Sequence, residues 1–332
     1  MEKNKSLKSF NTFGVHYTSA SFINIASINE LKAALLNNVF KNKFILGGGS
    51  NILFTKNIEG VCLHINIKGK KIIKESSSSV IVEVNAGEKW HNLVLWCIRN
   101  NFGGIENLAL IPGNVGAAPI QNIGAYGVEL KDVFISCNAI ERSTGKIERF
   151  LFNDCNFKYR DSVFKNKLKD LYVITSVCLK LTKNIHYFKL DYAGLNKNLK
   201  GINLNLKNIA KAIMDIRKNK LPDPKKIGNC GSFFKNPIIS INDFYLLTKK
   251  FNDIPFYNIS GKLIKIPAAW MIEKIGLKGY RENDAGIHEK QALVIVNYGK
   301  SSGKELLKVA NKVKLEVKKE FNIDLESEVN IF

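Results

Sequence analysis

Long apolar runs are missing from this chain of 332 residues. None approaches the roughly 20 residues that a bilayer-spanning helix needs, so membrane insertion is not expected. The opening residues, Met-Glu-Lys-Asn-Lys-Ser-Leu-Lys-Ser-Phe, contain no apolar signal-peptide core, and a cytoplasmic protein is expected. Cysteine is sparse. Cys62, Cys97, Cys137, Cys155, Cys178 and Cys230 include no Cys-x-x-Cys pair, which argues against a zinc site or a disulfide framework and for free thiols. Arginine is scarcer still for so basic a chain. Of the 50 cations only Arg99, Arg142, Arg149, Arg160, Arg217 and Arg281 are Arg. Arg is the residue that reads bases and phosphates with two parallel bonds, and the lysines are spread along the whole chain. The formal charge of +21 therefore reads as a solvated surface that mildly steers anions, with no nucleic-acid partner. His16, His64, His91, His186 and His288 carry no triad signature, and no metal site is expected.

Glycine is concentrated where other features thin out. Residues 105–127 read Ile-Glu-Asn-Leu-Ala-Leu-Ile-Pro-Gly-Asn-Val-Gly-Ala-Ala-Pro-Ile-Gln-Asn-Ile-Gly-Ala-Tyr-Gly. Small residues at this density leave few side chains between the backbone and whatever it touches, and successive N–H groups in such loops suit phosphate oxygens. Ile111, Val115, Ile120 and Ile123 can anchor the stretch in a core. A large ligand approached by bare main chain explains it better than a tight turn region does.

Ahead of it, Ser27 and Glu30 form a capping box before Leu31, Ala34, Leu35 and Val39 at helical spacing. The apolar strand 43–46 runs into Gly47-Gly48-Gly49-Ser50-Asn51, a phosphate-binding arrangement in outline. A Rossmann fingerprint fails there, because Ile52 stands where the third glycine belongs and no helix follows. A plain glycine turn stays open for that segment taken alone. Residues 61–86 alternate around a hairpin tip at Ser76 to Ser79. Trp90, Leu93, Val94 and Cys97 mark one helix face, and strands are expected at 132–140, 146–152 and 173–181. Arg160 sits in Phe157-Lys158-Tyr159-Arg160-Asp161-Ser162, among aromatics and beside a carboxylate.

Ile209, Ala212, Ile213 and Ile216 make a helix that Pro222 and Pro224 end. Then comes Gly228-Asn229-Cys230-Gly231-Ser232-Phe233-Phe234-Lys235-Asn236-Pro237. Gly231 permits an unusual backbone angle beside the Ser232 hydroxyl. Phe234 occupies the second glycine position of a nucleophile elbow, so Ser232 reads as a proton donor rather than a nucleophile. A helix at 270–275, a strand at 291–297 and a helix capped by Ser302 and Glu305 follow. Last comes a carboxylate-bearing strand, Leu325-Glu326-Ser327-Glu328-Val329, whose apolar neighbours, Ile331 included, should pack inward.

In order, the segments Asn11-Thr12-Phe13-Gly14, Gly47-Gly48-Gly49-Ser50-Asn51, 112–127, Tyr159-Arg160-Asp161-Ser162, Gly231-Ser232-Phe233-Phe234-Lys235-Asn236-Pro237 and Glu328-Val329 resemble the bacterial flavoprotein family of UDP-N-acetylenolpyruvoylglucosamine reductases, also called UDP-N-acetylmuramate dehydrogenases. The resemblance implies an α+β fold: a bipartite FAD-binding region of the vanillyl-alcohol-oxidase/PCMH type over 15–183, with lobes 15–68 and 69–183, then an α+β substrate-binding domain over 184–332. It implies FAD held by Gly47, Gly48, Gly49, Ser50, Asn51, Ile111, Pro112, Gly113, Gly116, Ala117, Ala118, Ile120, Gly124 and Ala125. NADPH would reduce the flavin, which would reduce an enolpyruvyl ether to UDP-N-acetylmuramate for peptidoglycan precursor synthesis. Ser232 would give the proton, while Arg160 and Glu328 would act on the substrate carboxylate. Tyr126, Tyr192, Lys220, Asn236, Tyr257 and Gln291 would contact the sugar nucleotide, Tyr192 as a lid over its diphosphate. A monomer is implied. Oxidases of the same fold type are the alternative, but many attach flavin through His. No His occurs at 47–60 or 113–127, so the flavin should be non-covalent. The chain departs from the family pattern at Ser327, at Asn330 and in Asn283-Asp284-Ala285-Gly286.

Overall fold

Inward Val80, Val82 and Val84 alternate with half-exposed neighbours along Ser79–Asn85, which gives that strand one core face. The structure, a computed structural model, describes residues 1–191 and 194–332. Ser79–Asn85 belongs to an antiparallel sheet ordered Ile147–Leu151, Phe134–Glu141, Tyr172–Lys183, Ser79–Asn85, Lys70–Glu75, and Phe102–Gly103 also pairs with Tyr172–Lys183. Helix Trp90–Arg99 lays Trp90, Leu93, Val94 and Cys97 into the same core. A second sheet is ordered Glu2–Ser6, Thr18–Ile25, Ile58–Ile65, Lys43–Leu46, and its last three strands run parallel. Helix Ile28–Leu36 covers it with Leu31, Ala34 and Leu35. Both sheets lie in one compact unit, Met1–Lys5, Thr18–Gly49 and Ile58–Arg217. Residues 184–217 pack in that unit's core through Leu195, Leu199, Ile209, Ile213 and Ile216.

Several local expectations change. Val39 is off the helix and 82% exposed, because the helix closes when Asn37 turns extended and caps Ala33. The hairpin around Ser76 joins only Lys70–Glu75 to Ser79–Asn85. Val61, Leu63 and Ile65 alternate for a different reason: Ile58–Ile65 is the parallel strand between Thr18–Ile25 and Lys43–Leu46.

The second unit gathers Ser6–Tyr17, Ser50–Asn57 and Lys218–Phe332. Its main sheet is ordered Gly228–Ser232, Val294–Asn297, Ala285–Ile287, Arg281–Glu282. The strand expected from Gln291 starts only at Val294, because a turn closed by Val294 N–H on the Gln291 carbonyl precedes it. Helix Gly303–Phe321 opens with the expected capping box between Ser302 and Glu305. The Asn11-Thr12-Phe13-Gly14 loop is held here: Asn11 Nδ2 donates to the Leu7 and Val15 carbonyls, and Asn297 Nδ2 to that of Phe13. Leu325 and Val329 are buried as expected, but that run is not a strand. Asn330–Ile331 pairs in parallel with Ile52–Leu53 instead, leaving Ile331 42% exposed on a two-stranded edge. A small sheet, Ile238–Ser240, Leu263–Lys265, Tyr257–Ser260, completes the unit. Among the described residues, no helix is long and apolar enough to cross a membrane. All six cysteines are free.

Candidate active site

In the first unit, backbone meets backbone at the glycines. A Cβ on Gly48 would stand 2.8 Å from Gly113 Cα and 3.0 Å from Asn114 Oδ1, so no larger residue fits without parting the two loops. A Cβ on Gly116 would lie 2.5 Å from Ala86 Cβ, where the Gly116 and Val115 N–H groups bond the Ala86 and Glu88 carbonyls. Trp90 N–H donates to the Gly113 carbonyl, tying the loop to the helix start. Gly49 takes φ +62, a region that favours glycine. Gly47, Gly48 and Gly113 are half-buried, Pro112 and Ala117 exposed, and Gly116 and Ala118 buried beneath. The stretch is therefore a cradle of main chain pinned from below by Val115 and Ala118, with Ile111 and Ile120 packed on the core. Ser50 and Asn51 continue the chain into the second unit.

The same unit collects Tyr126 and Arg160. Gly124–Ala125 and Val128–Glu129 form a hairpin whose two turn residues, Tyr126 and Gly127, have φ +51 and +80, as a tight hairpin turn requires. Arg160, at φ +54, sits within a turn closed by reciprocal Lys158–Asp161 backbone bonds. Its Nη2 donates to the Gly124 carbonyl at 2.5 Å, and its guanidinium lies 5.2 Å from the Tyr159 ring centre. A Cβ on Gly124 would come within 2.9 Å of Arg160 Nη1, so the small residue there makes room for the cation. Ser162, almost fully buried, bonds the Ile120 carbonyl, and Asn122 bridges Glu129 and the Lys158 carbonyl, locking both segments.

Asn107, which sequence reasoning passed over, is completely buried; its Nδ2 donates to the carbonyls of Tyr126 at 2.7 Å and Lys189 at 2.8 Å. A lone Asn inside a glycine-rich stretch carries no local signal of such distant partners. Asn107→Ala empties a fully buried site and removes the donor shared by two part-buried carbonyls, each bond being worth about 0.5–1.5 kcal/mol. A fall in urea stability of at least about 1 kcal/mol is expected; an unchanged midpoint would refute the tie.

In the second unit, Gly231 takes φ +76, the angle expected beside Ser232, and the register slips between Asn229 and Ser232. Beyond the slip Ser232 lies opposite Val294, and Phe233 N–H donates to the Leu293 carbonyl. The Phe233 carbonyl accepts from Glu328 N–H at 2.8 Å, so Ser232 and Glu328 stand on adjacent backbone. Asn51 Nδ2 donates to the Glu328 carbonyl at 3.2 Å and holds the same segment. Asn330, at a departure from the family pattern, keeps the link with both N–H and Nδ2 on the Asn51 carbonyl. Burial, reinforced by the Glu328 charge, raises the Cys230 thiol well above its ordinary pKa, leaving an inert thiol beside Ser232. Lys235 Nζ pairs with the exposed Glu326 carboxylate at 2.6 Å. Asn236 Oδ1 accepts from the Ala268 N–H at a helix start. Gln291 is half-buried, and Lys220 and Tyr257 are exposed, Tyr257 under the Lys265 ammonium. Tyr192 lies outside the described residues.

Two family models match the chain: an FAD binding domain over residues 22–151, and the UDP-N-acetylenolpyruvoylglucosamine reductase C-terminal domain over 223–332. A UDP-N-acetylenolpyruvoylglucosamine reductase of Flavobacterium johnsoniae is 51% identical over 334 residues, covering 100% of this chain and 99% of the relative. The chain belongs to the UDP-N-acetylenolpyruvoylglucosamine reductase family. It is thus an oxidoreductase carrying an FAD-binding domain followed by the family's C-terminal domain. A second relative, from Amoebophilus asiaticus, is 46% identical and covers 100% of this chain and 99% of its own. The crystal structure of a Thermus caldophilus UDP-N-acetylenolpyruvylglucosamine reductase shares the fold, with TM-score 0.68 at 22% identity over 98% of this chain and 97% of that one. The glycine cradle falls inside the FAD-binding match, and Ser232 and Glu328 fall inside the C-terminal one.

Proposed function

We propose that the enzyme uses NADPH to reduce UDP-N-acetyl-3-O-(1-carboxyvinyl)-glucosamine to UDP-N-acetylmuramate, in cytoplasmic peptidoglycan precursor synthesis and as a monomer. The observation that carries this reading is the backbone bond joining the Ser232 and Glu328 segments in a chain of this family. Non-covalent FAD is assigned to the cradle formed by Gly47, Gly48, Gly49, Gly113, Gly116 and Ala117, where the missing side chain of Gly48 lets its loop meet the Gly113 backbone and a Cβ on Gly47 would meet nothing closer than 4.0 Å. Bound FAD supplies two-electron transfer between NADPH and the substrate double bond. Arg160 holds the enolpyruvyl carboxylate as charge accumulates there, an interaction strongest in the transition state. Its turn and the Gly124 carbonyl fix its orientation beforehand. Ser232 gives the proton to the α-carbon, and Glu328 acts beside it on the substrate carboxylate. Tyr126, Tyr192, Lys220, Asn236, Tyr257 and Gln291 take the sugar nucleotide. The domain division proposed with this reading is a flavin region over 15–183 and a substrate domain over 184–332, of which 184–217 pack in the core of the first unit.

The test begins with the purified protein, which is expected to be yellow and to release its flavin on denaturation. NADPH oxidation should then depend on the enolpyruvyl nucleotide, with the parallel double-reciprocal lines of a ping-pong reaction. A colourless protein would sink the reading. Oxygen-dependent turnover without the nucleotide would point to an oxidase instead.

A further inference from the structure

Helix Leu206–Lys220 is anchored in the first unit's core by Ile209, Ile213 and Ile216, and Arg217 follows where that apolar stripe ends. Its Nη2 reaches the Leu110 carbonyl at 3.4 Å, a long bond, and its buried Nε has no hydrogen-bond partner. The ionisable groups facing it are Tyr126, neutral at physiological pH, and Arg160, neither of them a carboxylate, and burial pushes the guanidinium below its ordinary pKa. Arg stays protonated in proteins, so it cannot escape this position by losing its charge. A half-buried cation near another cation, with a buried N–H left over, is placed to take an anionic acceptor from outside the chain.

We propose that Arg217 supplies the half-buried positive charge against which the anionic, reduced form of the bound flavin is held. The proposal rests on the flavin reading above. Leu110 immediately precedes Ile111-Pro112-Gly113, so the guanidinium is attached at the root of the cradle. Arg160, bonded to Gly124 some distance along the loop, is the cation assigned to the substrate carboxylate. The helix holds Arg217 on packed core, so its charge is in place before any electron arrives. Arg217 is also one of only six Arg in the chain, at a position where a flexible Lys could not aim an Nε–H.

The charge has a countable consequence. Two electrons and one proton leave the flavin anionic, whereas two electrons and two protons leave it neutral. The experiment is a reductive titration of the holoenzyme with dithionite against reference dyes across the neutral pH range. Wild type should take up one proton per two electrons. Arg217→Met should take up two and disfavour reduction about tenfold, about 30 mV for a two-electron couple. Arg217→Lys should recover part of the shift, and sulfite, which adds to flavin as an anion, should bind Arg217→Met about tenfold more weakly. An unchanged potential in Arg217→Met, with weakened binding of the enolpyruvyl nucleotide, would assign Arg217 to the substrate and overturn the proposal. Should that variant fail to fold or to bind flavin, two protons per two electrons in wild type would overturn it alone. A wild-type protein that binds no flavin would instead refute the functional reading.

Discussion

Ser232→Ala should slow reoxidation of the reduced enzyme by the enolpyruvyl nucleotide about 100- to 10,000-fold while leaving flavin reduction by NADPH at the wild-type rate. The range is that of losing one general acid. The asymmetry follows from where the hydroxyl acts, since only the second half-reaction places a proton on carbon. A serine hydroxyl is a weak acid, so its use depends on placement. Gly231 at φ +76 breaks the strand regularity, and Ser232 re-enters the ladder opposite Val294. Of the other proton-bearing side chains close in sequence, Lys235 is paired with Glu326, and Cys230 is buried with its thiol pKa raised. The substitution removes one oxygen and leaves the backbone pairing of the strand intact, so folding should be unaffected. Stopped-flow absorbance of the flavin measures the two half-reactions separately. Equal slowing of both would move Ser232 from proton delivery to general architecture.

Much of this site was legible in the sequence, for reasons that differ from residue to residue. A dense run of Gly and Ala reads as bare main chain approached by a large ligand; the close approach of Gly48 to the Gly113 backbone is a second use of the same glycines that the sequence does not announce. Gly231 before a serine announced a special angle, and the angle is there. Arg217 was not legible, because an Arg at the edge of an amphipathic stripe normally reaches solvent. Its burial depends on the Leu110 loop, 107 residues away in sequence. Asn107 escaped for the same reason, since its second carbonyl partner is 82 residues distant. Parallel pairing leaves no local mark either. Ile58–Ile65 alternates much as a hairpin strand does, and only its two remote neighbours assign it to another sheet. At the C-terminal end, Ile331 is apolar but exposed, because its short strand lies on an edge where pairing with Leu53 uses the backbone alone.

Gly48→Ala should yield protein that purifies with little flavin. The new methyl would lie 2.8 Å from Gly113 Cα and 3.0 Å from Asn114 Oδ1, and backbone cannot swing aside as a side chain can. Overpacking of this kind costs about 1–3 kcal/mol. Charged to the cradle, that loosens FAD roughly 5- to 150-fold. Gly47→Ala separates the causes. There the nearest atom to an added Cβ is Ala117 Cβ at 4.0 Å, and the backbone angle is one that alanine adopts. The apo protein should therefore keep its stability within about 0.5 kcal/mol. If flavin nonetheless binds more weakly to Gly47→Ala, the methyl occupies space that only the ligand uses, so the bare backbone at 47 faces the cofactor. Gly48→Ala should lower both apo stability and flavin content. Fluorescence titration of FAD into each apo variant, beside urea denaturation, distinguishes the two effects. Full flavin occupancy in Gly48→Ala would mean that the contact between the two loops has no part in holding it.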